Sequence, residues 1–175
     1  NVVSGSNITK VYGSLFDGKS NFRKWLHGVN YVIHAARPSS GKALGRYLMA
    51  NRTRKAIKSM ISVIEESSVS STIVLHGSLS YGDRGEEIVE TDSKLNPAGY
   101  SKAYSIGERP WLEYLEHGGD VRIVRSPWIL GPGSWFNMLY AGDSIPIIDG
   151  GRQWMSLVSI NSLSEYVWSV SYTHL

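Results

Sequence analysis

Apolar and polar positions along the 175-residue chain switch between a period near 3.6 and short continuous apolar runs, which predicts strands alternating with helices. Residues 8–12 read as a short strand leading into the loop Gly13-Ser14-Leu15-Phe16-Asp17. Phe22, Trp25, Leu26 and Val29 fall at helical spacing, and residues 29–34 (VNYVIH) form a buried-strand run. Residues 46–67 make the longest helical segment, with Leu48, Met49, Ala56, Ile57, Met60, Ile61 and Ile64 along one broad face. Residues 72–76 (TIVLH) are the next strand, followed by a polar loop through Asn96. Residues 100–116 are helical, and Pro110 is expected to kink or split that helix. Residues 121–125 are a strand whose extension stops at Leu130-Gly131-Pro132-Gly133. The last third holds a short helix near 136–140, a strand near 145–148 and a helix over 163–170.

Strands separated by helices imply βαβ units and a parallel sheet with helices on both faces, an α/β fold. Ligands of such sheets bind outside the carboxyl ends of the strands. The loops after His34, His76 and Arg125 are therefore the expected walls of a site. The acidic stretch 83–95, with Glu86, Glu87, Glu90 and Asp92, reads as a solvated loop.

Composition narrows the classes. A hydrophobic fraction of 42% with 19% charged residues excludes a disordered chain. No apolar run approaches the roughly 20 residues of a membrane span, so a soluble protein of the cytoplasm or an organellar matrix is expected. The absence of cysteine excludes disulfides and thiol chemistry. A net charge of +3 does not argue for nucleic acid. Arg46, Arg52, Arg54, Lys55 and Lys58 crowd one helix and read as a solvated face, with an acidic partner surface as the alternative. Five histidines show no metal-ligand spacing, and no metal site is expected. Neither a Gly-x-Ser-x-Gly elbow nor a Walker loop is present. Trp25, Trp111 and Trp168 sit at helix positions suited to core packing, and Trp154 is expected in an exposed hairpin.

Read in order, several short segments carry a resemblance. They are Gly13-Ser14-Leu15 with Asp17, Val32-Ile33-His34-Ala35-Ala36, Asn51 in the long helix, and Ser78 to Gly82 (SLSYG). Glu90 follows, then Arg125 to Gly133 (RSPWILGPG) and Val158 to Leu163 (VSINSL). The series resembles the extended short-chain dehydrogenase/reductases, the group of NAD-dependent epimerases and dehydratases. The resemblance implies a Rossmann-like, doubly wound parallel sheet that lacks its first βαβ unit, with a small C-terminal substrate-side region. The Gly-x-x-Gly-x-x-Gly loop that holds the dinucleotide pyrophosphate has no match, and Gly5 is no substitute. The chain, beginning at Asn1, reads as entering the fold just before its third strand. On that reading residues 1–130 are a partial NAD(P)-binding domain, 131–170 a substrate-side region that returns to the core, and 171–175 a non-native tail. A missing N-terminal segment or a protein partner would cover the incomplete sheet.

The resemblance also implies chemistry. In this family a Tyr acts as general acid–base and a Lys four residues later shares its helix face, holds the nicotinamide ribose and supports the phenolate. Tyr100 matches the Tyr, because Glu108 stands at the +8 position; Tyr104, however, occupies +4. None of the ten tyrosines has Lys at +4, and Lys102 at i+2 lies about 200° round the helix. The Tyr–Lys dyad is broken. Ser78 is the expected donor to the substrate oxygen if a one-residue bulge precedes it; Ser80 is a second choice. His34, Ala35, Ala36, Asn51 and Pro127 are the expected cofactor-side residues, and Trp128, Gly131 and Trp135 the substrate-side ones. Each also has a structural reading: Tyr100 packing at a helix start, Ser78 capping a loop, His34 fixed at a strand end. Two functions from different classes follow. One is an NAD- or NADP-binding oxidoreductase, epimerase or dehydratase acting on a small molecule such as a sugar nucleotide. The other is a catalytically inactive accessory subunit of a larger assembly, such as a respiratory complex.

Overall fold

A computed structural model of the chain describes residues 7–37, 42–147 and 149–172. Three strands form its main sheet: β1 (Tyr31–His34), β2 (Ser71–Gly77) and β3 (Val121–Ser126), parallel and in spatial order β1-β2-β3. Val32 pairs with Thr72, and Val74 with both His34 and Ile123. The crossovers are helices, α2 (Ala43–Glu65) between β1 and β2 and α3 (Ser101–Glu116) between β2 and β3.

Strand side chains alternate between faces, and each face of β2 meets a different helix layer. Val74 packs with Ile57, Ile61 and Ile64 of α2, Trp111 of α3, and Val121. On the other face Ile73 packs with Leu163 and Val167 of α5 (Ile160–Tyr172), beside Leu75, Val124 and Ile129. Burial on both faces is why β2 reads as an unbroken apolar run. This is the doubly wound α/β arrangement, with α1 (Lys19–Leu26) packed on α2.

The remaining elements are small. β4 (Trp128–Leu130) runs parallel to β5 (Leu157–Ser159) in a separate two-stranded sheet. Between them lies α4 (Trp135–Tyr140), whose start is capped by the Ser134 hydroxyl accepting from the Asn137 amide.

Several expectations need correction. Residues 8–12 are not a strand; no neighbouring strand is available to them among the described residues, and Val11 and Tyr12 are 61% and 91% exposed. Residues 145–147 are also irregular, and Ile148 lies outside the described residues. Pro110 does not split α3: it is fully buried beside Trp111, where packing on α2 holds the helix through the missing hydrogen bond. The buried stripe of α2 is Ala50, Thr53, Ile57, Ile61 and Ile64, while Leu48 is exposed. Trp168 faces outward, because α5 buries Leu163, Val167 and Val170 instead. Ser171 and Tyr172 are the last residues of α5, and 173–175, like 1–6 with Gly5, lie outside the described residues. No helix among the described residues is long and apolar enough to cross a membrane.

Candidate functional site

The carboxyl ends of β1 and β2 meet the first half of α3, and a cavity of about 40 Å³ opens there beneath α2. That is room for about three waters. His34, the last residue of β1, lines it with its ring 5.4 Å from that of Trp111. Burial, and then the neighbouring His76, pushes the His34 pKa down to about 4. His34 is therefore neutral near pH 7. Thr53 Oγ1 and Trp111 Nε1, on two further wall residues, are buried without a protein hydrogen-bond partner. Ala35 and Ala36 leave the strand exposed, Ala36 at the cavity rim.

At the end of β2 the chain enters a 3-10 turn, Ser78–Tyr81, packed against α3. The β2–β3 register runs one-to-one as far as Gly77, opposite Ser126, so no bulge precedes Ser78. Ser78 is simply the first residue past the strand, half-buried. Ser80 is buried and committed elsewhere: its hydroxyl donates to Glu108 Oε2 at 3.1 Å and lies 3.3 Å from His76 Nδ1. Glu108, 1% exposed, accepts from Arg125 Nε at 2.8 Å and pairs with its Nη2 at 2.7 Å. Burial lowers the pKa of His76 despite Glu108, with Arg125 and Arg37 adding to the effect. The imidazole therefore joins this network as a neutral group. A hydroxyl from Ser126 to the His76 carbonyl ties β3 to the same corner.

Tyr100 is the N-cap residue of α3 and half-exposed. Its ring meets Tyr104 edge-on, with centroids 5.9 Å apart. The Arg37 guanidinium also lies over the Tyr104 ring, 4.0 Å from the centroid. Arg37 also crosses the end of β2, where a Cβ built on Gly77 would stand 3.6 Å from its Nη1. Sequence reasoning missed Arg37, since only the fold brings the loop after β1 onto α3. Glu108 carried a signal, its +8 spacing from Tyr100, but nothing in the chain announced the buried partners.

The other expected site residues are more scattered. Asn51 is exposed, and its amide donates to the Tyr47 carbonyl one turn back rather than lining the cavity. Pro127 joins β3 to β4. Trp128, half-buried at the start of β4, meets Phe136 edge-on at 6.4 Å. Gly131 has φ 155°, and a Cβ there would stand 2.8 Å from Ile160 Cγ2, so its lack of a side chain lets α5 start close by. Trp135 is 70% exposed at the start of α4. The basic helix face is engaged in part within the fold: Lys58 and Arg54 reach Glu113 of α3, and Arg52 covers the Phe16 ring. Among the described residues no three His, Asp or Glu side chains converge as metal ligands.

No protein-family model matches the sequence, and no curated protein matches it. Solved structures do. The dTDP-glucose 4,6-dehydratase DesIV of Streptomyces venezuelae, with NAD and TYD bound, superposes with a TM-score of 0.74 at 19% identity, over 90% of this chain and 52% of its own. TunA, an NAD-dependent NDP-hexosamine 5,6-dehydratase, gives 0.76 at 18% identity, over 92% and 56%. A UDP-glucuronic acid 4-epimerase from Bacillus cereus gives 0.74 at 17%, over 94% and 56%. The chain thus spans little more than half the length of the structures it matches. Its fold is a partial Rossmann-like α/β fold, shared with these structures.

Proposed function

We propose that this chain is the nicotinamide- and substrate-side part of an NAD(P)-binding protein of the epimerase/dehydratase type, acting on a secondary alcohol such as that of a sugar nucleotide. The observation that carries the reading is the corner where the ends of β1 and β2 meet α3. The exposed Ala35-Ala36 segment, the side-chain-free Gly77, Ser78 and the half-exposed Tyr100 all belong to it. Structures of the same fold hold NAD.

The residues present fit the nicotinamide half of such a cofactor. Small residues at Ala35 and Ala36 let a flat ring and its ribose approach backbone, beside Gly77, where Arg37 Nη1 lies 3.6 Å from the place a Cβ would take. The pyrophosphate half is assigned to a segment preceding this sequence or to a partner chain. That element would also cover the open side of β1, where Tyr31 and Ile33 are half-exposed.

A bound nicotinamide supplies a hydride acceptor or donor for the substrate carbon. The chain's own residues supply the rest. Tyr100 Oη takes the alcohol proton or returns it; with no bulge before it, Ser78 stands as donor to the substrate oxygen only from its place as the first, half-buried residue past β2. The buried Glu108–Arg125 pair, gripping Ser80, keeps the Ser78 turn in place. Residues 131–170, with Trp128, form the substrate side.

One observation favours a second reading, an accessory subunit that does no chemistry: Tyr104 stands where the resemblance calls for Lys. Full-length protein mixed with NAD+ and a panel of nucleotide sugars separates the two, followed by absorbance of the reduced nicotinamide. Turnover that falls about 100-fold or more in Tyr100→Phe supports catalysis at this corner. Cofactor binding without turnover on any nucleotide sugar supports the accessory reading.

A further inference from the structure

The broken dyad leaves the corner around Tyr100 without the helix-borne cation that its chemistry calls for. The structure holds a cation there from another source. Arg37 leaves β1 and lays its guanidinium 4.0 Å from the centroid of Tyr104, whose ring in turn meets that of Tyr100. The same guanidinium passes over Gly77, one residue before Ser78. Arg37 is exposed, and among the described residues no carboxylate pairs with it. Its charge is felt as far as His76.

We propose that Arg37 replaces the missing helix lysine, its guanidinium stacked on Tyr104 donating hydrogen bonds to the ribose hydroxyls of a bound nicotinamide nucleotide. The proposal rests on the NAD(P)-binding reading above and extends it to a residue of the β1 loop.

The chemistry of the two cations supports the exchange. A guanidinium is always charged, stacks on aromatic faces and presents parallel N–H donors that match two adjacent oxygens. It needs a flat platform where an ammonium needs none, and Tyr104 is that platform at the very position vacated by Lys. Gly77 lies beneath the guanidinium, where a Cβ would stand at ordinary contact distance, 3.6 Å, from Arg37 Nη1. An exposed cation–π contact contributes little to folding, so Arg37 is dispensable for the fold itself.

Titration of the full-length protein with NADH, followed by nicotinamide fluorescence, tests the assignment. The variants are Arg37→Gln, Tyr104→Lys and the two combined, each with its urea unfolding midpoint. Arg37→Gln is expected to weaken NADH binding about tenfold with an unchanged midpoint, as loss of a charge-assisted contact should. Adding Tyr104→Lys to Arg37→Gln restores the i+4 lysine and is expected to recover binding to within about threefold of wild type. A merely structural stack would not be rescued in this way. Wild-type binding in Arg37→Gln, or no recovery in the double variant, overturns the role of Arg37 while leaving NAD(P) binding intact. Absence of NADH binding by the wild type overturns the NAD(P) reading itself, and the Arg37 role with it.

Discussion

At the scale of single residues, the most consequential group outside the corner around Tyr100 is Glu108. It is 1% exposed and joins Arg125, Ser80 and His76, so one carboxylate ties α3 to β3 and to the turn after β2. A buried pair gains little over apolar packing, but removing one partner strands the other charge. Arg125→Met is therefore expected to cost about 3–5 kcal/mol in urea unfolding. The double variant Arg125→Met/Glu108→Leu should recover much of that loss. Equal or greater loss in the double variant would show that the network does more than neutralise itself. Little of this was legible in the chain: Glu108 showed only its +8 spacing, and Arg125 only its place in a strand-end motif. Arg37 was wholly silent, since its meaning comes from the ring beneath it.

Elements were read best where local pattern and tertiary role coincide. β2 is covered by helices on both faces, so its apolar run announced it, and α2 is long enough for its periodicity to dominate. Two strands were misread for one reason: an apolar run is a strand only when a neighbour supplies the ladder. Residues 8–12 have none among the described residues, and 145–147 are likewise irregular. Pro110 does not split α3, because a packed interface outweighs local propensity there. Gly131 shows the converse, a residue read for the site whose clearest role is to let α5 approach. Gly131→Ala is expected to cost about 1–3 kcal/mol through overpacking against Ile160, read from the thermal or urea unfolding midpoint. An unchanged midpoint would mean that the junction of β4 and α5 is slack.

For the molecule as a whole, burial of histidine makes stability depend on pH. The folded pKa of His34 lies at about 4, below its ordinary 6.5, so the unfolded chain takes up the proton first as pH falls. Its contribution is complete above pH 6.5, is lost between 6.5 and 4, and amounts to about 3 kcal/mol over that window. His76 is shifted in the same direction, and the lowered carboxylates Glu66 and Glu113 also lose their contributions on acidification. The protein should thus unfold at lower urea at pH 4.5 than at pH 7.5. His34→Gln should narrow that difference; an unaltered difference would show that the ring is not held neutral by the fold.

The proposed function puts a nicotinamide dinucleotide across the ends of β1 and β2, against Ala36 and Tyr100. It is tested most directly by titrating full-length protein with NADH and NADPH, as wild type and as Ala36→Trp, whose bulk would fill the exposed rim of the corner. Saturable binding of at least one dinucleotide by the wild type is expected, weakened about tenfold or more by the tryptophan, with unfolding unchanged. No saturation at millimolar dinucleotide, or equal affinity in Ala36→Trp, would contradict it.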